Sequence, residues 1–250
     1  MKNKVVIITG GGKGIGYGIA RAFSKAGANV VITGRTEQSL LDAKKQLEDE
    51  FHNVVEAFVA DGADEQAVKN VIKQTIMKFG HIDTIINNAQ NSKSGVLLKD
   101  HTKEDFDAAI YSGLYATFFY MKEAYPYLKE SQGSIINFAS GAGLFGKEGQ
   151  SSYAAAKEGI RGLSRVAATE WGKDGIRVNV LCPLVETPGL ADWKEKYPEL
   201  YQKTIQGIPL GRFGDAEHDV GGICLFLASD AARYITGETI TMQGGSGLRP

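Results

Sequence analysis

Tyr153 and Lys157 lie four residues apart within Ser151–Trp171, a stretch of helical pattern, so their side chains share one helix face. A phenol with an ordinary pKa near 10 is a poor base at neutral pH. An adjacent ammonium favours phenolate and lowers that value. A phenol tuned this way exchanges a proton with a substrate oxygen. Ser140 precedes the tyrosine by 13 residues and ends a predicted strand, where its hydroxyl can hydrogen-bond the same oxygen. Helix surfaces carry Tyr-x-x-x-Lys pairs by chance, so the pair gains weight only from its surroundings.

Those surroundings begin at Thr9-Gly10-Gly11-Gly12-Lys13-Gly14-Ile15-Gly16, between the first predicted strand and the first predicted helix. Glycines let the backbone turn sharply and let a pyrophosphate come close. The helix amino terminus offers unpaired N–H groups and the positive end of its dipole. A strict G-x-G-x-x-G is absent, because positions 15 and 17 are Ile and Tyr, and a P-loop is absent because Gly14 follows Lys13. The pattern is T-G-x-x-x-G-I-G, with Gly10, Lys13, Gly14, Ile15 and Gly16 as candidate cofactor contacts. The second strand ends in Thr33-Gly34-Arg35. An NAD site wants a carboxylate there for the ribose hydroxyls, whereas Arg35 suits a 2′-phosphate, with Lys13 as a second positive charge. The expected cofactor is therefore NADP(H). With a nicotinamide present, Ser140, Tyr153 and Lys157 suit hydride transfer between a secondary alcohol and a ketone.

The elements that must hold these residues alternate along the whole chain. Strands are expected at Val5–Thr9, Asn29–Thr33, Val54–Ala60, Ile82–Asn88, Ser134–Ala139, Arg177–Leu181 and Glu238–Met242. Helices are expected at Ile15–Ala26, Glu37–Phe51, Asp64–Phe79, Thr102–Leu128, Ser151–Trp171 and Ala216–Leu227. Continuous apolar strands between helices imply a parallel sheet covered on both faces, and right-handed crossovers make it a doubly wound, Rossmann-type α/β fold. Residues 1–250 are read as one domain. Leu184–Phe213 breaks the rhythm: it holds Pro188, Pro198 and Pro209, with Pro183 at its edge. It lies beyond a strand's carboxyl end and reads as a substrate lid. Trp193, Tyr197 and Tyr201 recur there every four residues, a face that can cover a flat apolar ligand or pack against the protein itself.

Composition closes off other classes. The 250 residues include 28 Lys and Arg against 29 Asp and Glu, so the net charge of −1 leaves no basic footprint for nucleic acid or a membrane surface. Cys182 and Cys224 are too few for a disulfide framework or a cysteine zinc site. The four histidines are scattered without ligand spacing, and no Gly-x-Ser-x-Gly elbow exists. The apolar run after Met1 is too short for a signal peptide, so a cytoplasmic location is expected. The expected Thr102–Leu128 helix is apolar around its circumference, which points to an interface in a homo-oligomer, with a tetramer favoured over a dimer.

These segments together resemble the short-chain dehydrogenase/reductase family over the whole chain. The matching residues are TGGGKGIG, Asp61, Asn87-Asn88-Ala89, Ser140/Tyr153/Lys157, Pro183 with Thr187, Leu210–Arg212 and Thr236-Gly237. The resemblance implies that Ser140 positions the carbonyl, Tyr153 is the acid/base, and Lys157 holds the nicotinamide ribose and lowers the tyrosine pKa. It places Asp61 on the adenine and Thr187 on the carboxamide, with Gly62 and Asn88 also among the cofactor contacts.

Four positions depart from the family pattern. Gly113 stands where a tetrad asparagine is usual, Gln90 where glycine is usual, Leu184 where glycine follows the proline, and Gln243 where aspartate is common. A narrower likeness runs through Asn87–Gln90, Ala109–Phe118, Gly133–Gly146, Tyr153–Asp174, Cys182–Leu184 and Leu248–Pro250. These segments are similar to the NADP-dependent hydroxysteroid dehydrogenases of bile-acid-converting anaerobes. A hydroxysteroid substrate is the leading expectation, a 3-oxoacyl thioester or other ketone the second, and a catalytically inactive NADP-binding regulator the alternative class.

Overall fold

Seven parallel strands follow the predicted alternation. In the computed structural model, which describes residues 1–247, they are β1 (Val5–Thr9), β2 (Asn29–Gly34), β3 (Val55–Val59), β4 (Thr84–Asn87), β5 (Ser134–Phe138), β6 (Arg177–Pro183) and β7 (Thr239–Met242). Their spatial order is β3-β2-β1-β4-β5-β6-β7. The chain winds outward from β1 to β3 and returns to β4 on the other side of β1. That reversal opens a crevice at the carboxyl ends of β1 and β4, where open α/β sheets bind ligands.

The strands are apolar throughout because both faces are covered. Val6, Ile8, Val30 and Ile32 point to one layer, where they bury Ile19 and Phe23 of α1 (Gly14–Lys25) and Leu40 and Leu47 of α2 (Glu37–Phe51). Cys224 and Leu227 of α10 (Gly222–Ala228) join the same layer. Ile7, Val31, Ile85 and Ile135, offset by one position, point to the other layer. There they meet Val68 and Ile72 of α3 (Glu65–Phe79), Tyr120, Met121 and Leu128 of α5 (Ala116–Ser131), and Ala167 of α7 (Ser151–Trp171). The strand period of two thus sorts one apolar run into two cores.

The expected Thr102–Leu128 helix forms as one unbroken helical run from Lys103 to Ser131, with a change of pitch inside it. It divides into α4 (Lys103–Ala109), one π-helical stretch over Ile110–Tyr115, and α5, which runs on to Ser131 past an internal Pro126. A second π stretch, Ala216–Gly221, opens the expected Ala216–Leu227 helix. π-turns of this kind insert one residue into a helix and collect at functional sites. A short helix not anticipated from sequence, α6 (Gly141–Phe145), begins directly after β5, capped by the Ser140 hydroxyl.

The lid forms α8 (Pro188–Lys196) and α9 (Pro198–Gln206), parted because Pro198 starts a new helix and cannot continue the old one. Its aromatic residues pack mainly on one another. Tyr201, Ile208 and Phe213 are buried in a small separate core supported by Leu184, Leu190 and Trp193. Trp193 and Phe213 lie 6.2 and 5.5 Å from the Tyr201 ring, while Tyr197 stays exposed. Leu248–Pro250, which carried part of the narrower likeness, lie outside the described residues. Among the described residues, no helix is long and apolar enough to cross a membrane.

Candidate active site

A cleft of about 530 Å³ opens where the sheet order reverses. Gly10, Gly12, Lys13, Gly14 and Ile15 line it from the glycine loop, and Arg35, Asp61, Gly62, Asn88 and Thr187 line it from the strand ends. Gly10 and Gly14 take φ of +68° and +56°, values that side chains disfavour. Gly16 does not line the cleft; its α-carbon is pressed against the loop, and a Cβ there would overlap the Gly10 carbonyl. It lets α1 start directly beneath the loop. Asn88 fixes the same loop, with its side-chain amide donating to the Thr9 carbonyl at 3.0 Å.

The cleft fits a dinucleotide on two structural grounds. The α1 amino terminus has no side-chain cap, so its first N–H groups face the cleft, as a pyrophosphate requires. Arg35 and Lys13 have no carboxylate partner among the described residues, and no acidic side chain from the end of β2 lines the wall. Thr36, the first residue of α2's cap, also leaves that helix without a side-chain cap, and it lines the cleft with Ser39. Two uncapped helix ends and two cations thus face one cleft. Asp61 uses one carboxylate oxygen to accept the Ala63 N–H at 3.0 Å, which fixes the turn after β3. Thr187 has a second job: its hydroxyl caps α8 by accepting the Leu190 N–H at 3.3 Å.

Ser140, Tyr153 and Lys157 come together at the same edge of the sheet but do not line this cleft. The Lys157 ammonium lies 5.6 Å from the centre of the Tyr153 ring, and the neighbouring Ser140 hydroxyl, which accepts the Ala142 N–H at 3.1 Å, favours the ionised phenol. Lys157 is only 2% exposed, and its Nζ donates to the Phe138 carbonyl at 2.8 Å. Burial pulls its pKa down to about 8. Burial also holds the Tyr153 phenol above its ordinary value, and the Ser140 hydroxyl only partly opposes it. In the protein alone Lys157 is turned toward Phe138 and desolvation dominates the tyrosine; the lowered value expected from sequence belongs to the enzyme with its nicotinamide bound.

Two departures from the family pattern prove to be one feature. A Cβ on Gly113 would overlap the Gln90 carboxamide, with Cδ and Nε2 at 2.7 and 2.8 Å. Gln243 lies against both Gly141 and Gly247, tying the carboxyl-terminal segment to α6.

Comparison with known proteins agrees with this geometry. A family model described as enoyl-(acyl carrier protein) reductase matches residues 10–246. The chain is 60% identical to the 12alpha-hydroxysteroid dehydrogenase of a Clostridium species, over 99% of this chain and 98% of that one. It is 36% identical to a 3-oxoacyl-[acyl-carrier-protein] reductase of Thermotoga maritima, over 98% of each. The structure of levodione reductase superposes with a TM-score of 0.91 at 31% identity, covering 98% of both chains.

The chain belongs to the short-chain dehydrogenase/reductase family. It is an oxidoreductase acting on CH–OH donors, built on that family's Rossmann-type sheet and using a nicotinamide cofactor. In this dehydrogenase/reductase, reading the sequence missed Thr36, Ser39, Asn91, Ser112 and Tyr120, all on the cleft wall. Thr36 carried a signal, a threonine just before a helical run, the usual place of a cap. Tyr120 carried none. It is buried inside the predicted apolar helix, donates to the Thr33 hydroxyl at 3.1 Å, and has its pKa pushed up to about 12 by burial.

Proposed function

We propose that this enzyme interconverts a 12-alpha-hydroxysteroid, of the bile-acid type, and its ketone with NADP(H). The observation that carries the reading is the Ser140–Tyr153–Lys157 cluster beside a cationic dinucleotide cleft, in a chain 60% identical to a 12alpha-hydroxysteroid dehydrogenase. Arg35, with Lys13 lining the same cleft, binds the 2′-phosphate, and its planar fork favours NADP over NAD. When bound, the cofactor accepts or returns the hydride at the carbinol carbon. In the oxidative direction Tyr153 Oη takes the hydroxyl proton, and Ser140 Oγ holds the same oxygen in place. Lys157, buried beside the ring, keeps a positive charge available to the phenolate. In reduction Tyr153 Oη returns the proton to the carbonyl oxygen.

The enzyme works as a homo-oligomer, a tetramer in preference to a dimer. Tyr111, Tyr115 and Phe118 support this: they are 48%, 42% and 40% exposed and are linked through Phe119 into an aromatic strip on the π stretch and α5. Such a strip is more apolar than free surface usually carries. The remaining expectations, a single domain and a cytoplasmic site of action, belong to this same proposal.

The test is NADPH formation from NADP+ with cholate, with chenodeoxycholate as the control. The two differ by the 12-alpha hydroxyl, which only cholate carries. Turnover with cholate alone is the expected result. Turnover with neither overturns the steroid reading and turns attention to 3-oxoacyl thioesters. Equal turnover with both places the oxidised hydroxyl elsewhere on the steroid.

A further inference from the structure

We infer that Gln90 is a positioning residue for Tyr153 and Lys157, its carboxamide filling, from the loop after β4, the volume that Gly113 leaves in the π stretch. The inference rests on the dehydrogenase activity proposed above. The argument starts with Gln90 itself. Its Nε2 donates to the Ala109 carbonyl at 2.9 Å, at the point where α4 gives way to the π stretch. Its Oε1 is buried and has no hydrogen-bond partner among the described residues. A buried amide oxygen without a partner is costly. It persists here because the Nε2 contact and the space over Gly113 together fix the carboxamide in one orientation.

The neighbouring contacts make the loop and the helix one unit. The Ser112 hydroxyl accepts the Asn91 N–H at 3.0 Å and sits 2.9 Å from the Asn91 carbonyl. The other side of the π stretch presses on α7, the helix that carries Tyr153 and Lys157. Leu114 lies against Gly159, where a Cβ would come within 2.8 Å of the leucine methyl. A shift of the π stretch by even a few tenths of an ångström is therefore felt at α7. Gln90 and Ser112 also line the cleft, so this clamp adjoins the place where the cofactor enters. One volume receives an amide from the β4 side when position 113 is glycine. A side chain at 113 would have to occupy that same volume. The two positions are thus mutually exclusive, and the arrangement predicts a reciprocal exchange.

The experiment is a set of four proteins: wild type, Gln90→Gly, Gly113→Asn and the double exchange. Turnover is followed with whichever secondary alcohol the wild type oxidises, and melting midpoints are measured without cofactor. Gln90→Gly is expected to lower kcat at least tenfold, with KM for NADP+ within about twofold of wild type. Gly113→Asn alone is expected to melt lower and lose activity, because its side chain meets Gln90. The double exchange is expected to recover the melting midpoint and at least a third of wild-type kcat. A Gln90→Gly enzyme with kcat within twofold of wild type overturns the positioning role. So does a double exchange no better than the worse single variant. Wild-type turnover reports separately on the dehydrogenase reading, and the cofactor-free melting cycle tests the Gln90–Gly113 packing without any turnover.

Discussion

Replacing Lys157 with methionine separates the site's chemical value from its structural cost. Lys157 is 2% exposed, has no carboxylate partner among the described residues, and keeps one hydrogen bond, to the Phe138 carbonyl. Burial lowers its pKa from 10.5 to about 8. At roughly 1.4 kcal/mol per pH unit, holding this lysine charged inside the fold costs about 3 kcal/mol at neutral pH. Losing the hydrogen bond takes back about 1 kcal/mol. Lys157→Met is therefore expected to be more stable than wild type by about 2 kcal/mol. That corresponds to roughly 4–8 °C in melting midpoint for a chain of this size. The sign of the pH dependence follows from the depressed pKa. Below about pH 8 both folded and unfolded lysine are protonated, and the cost is full. Between about 8 and 10.5 the folded group has lost its proton while the unfolded one keeps it, so wild-type stability rises with pH. The advantage of the variant should therefore shrink steadily from pH 8 to pH 10. The assay is thermal unfolding of the cofactor-free proteins at one concentration, in steps from pH 7 to pH 10. A variant that melts lower at pH 7, or a gap that stays constant with pH, refutes the reasoning. Turnover by the variant should be lost in either case.

Three further outcomes follow from the same geometry. Tyr153→Phe should reduce turnover by a factor of about 100 to 10,000, the usual range for a lost acid/base. NADPH binding, followed by nucleotide fluorescence, should persist; near-normal turnover would reject the proton path. Arg35→Ala should lower kcat/KM for NADP+ by about 10- to 100-fold, as expected from losing hydrogen bonds to a charged phosphate. The value for NAD+ should barely move, and equal losses with both cofactors would show that Arg35 does not touch the phosphate. Because burial holds the Tyr153 phenol above its ordinary value, alcohol oxidation, which needs phenolate, should climb as pH rises from 7 to 8, the range in which Lys157 still carries its charge. An oxidation rate that falls over that interval would sink the assignment.

Much of the architecture was legible because parallel strands buried on both faces read as unbroken apolar runs, and glycine turns mark where they stop. Ser140, Tyr153 and Lys157 were legible for a related reason: each sits at a fixed distance from an element boundary. The π stretch over Ile110–Tyr115 was not legible, since one inserted residue barely disturbs helical periodicity, although Ser112-Gly113 at its centre marked a weak point. The partnership of Gln90 with Gly113 was also hidden. The two are far apart in sequence, and only the side-chain volumes show that one fills what the other lacks. The burial of Tyr153 and Lys157 was not legible, because spacing places an ammonium near a ring but says nothing of how deeply both are buried.

The small core of Tyr201, Ile208 and Phe213 makes the lid a self-supporting module joined to a fixed machine. Of the lid residues, Val185 at its root joins the large core beneath α1 and α2, while Tyr201, Ile208 and Phe213 pack apart from it. Mutations within the lid can therefore remodel what it covers without disturbing the phosphate loop or α7. Substrate preference in such a scaffold can evolve by drift in one replaceable part, while the hydride and proton chemistry beneath it stays constant.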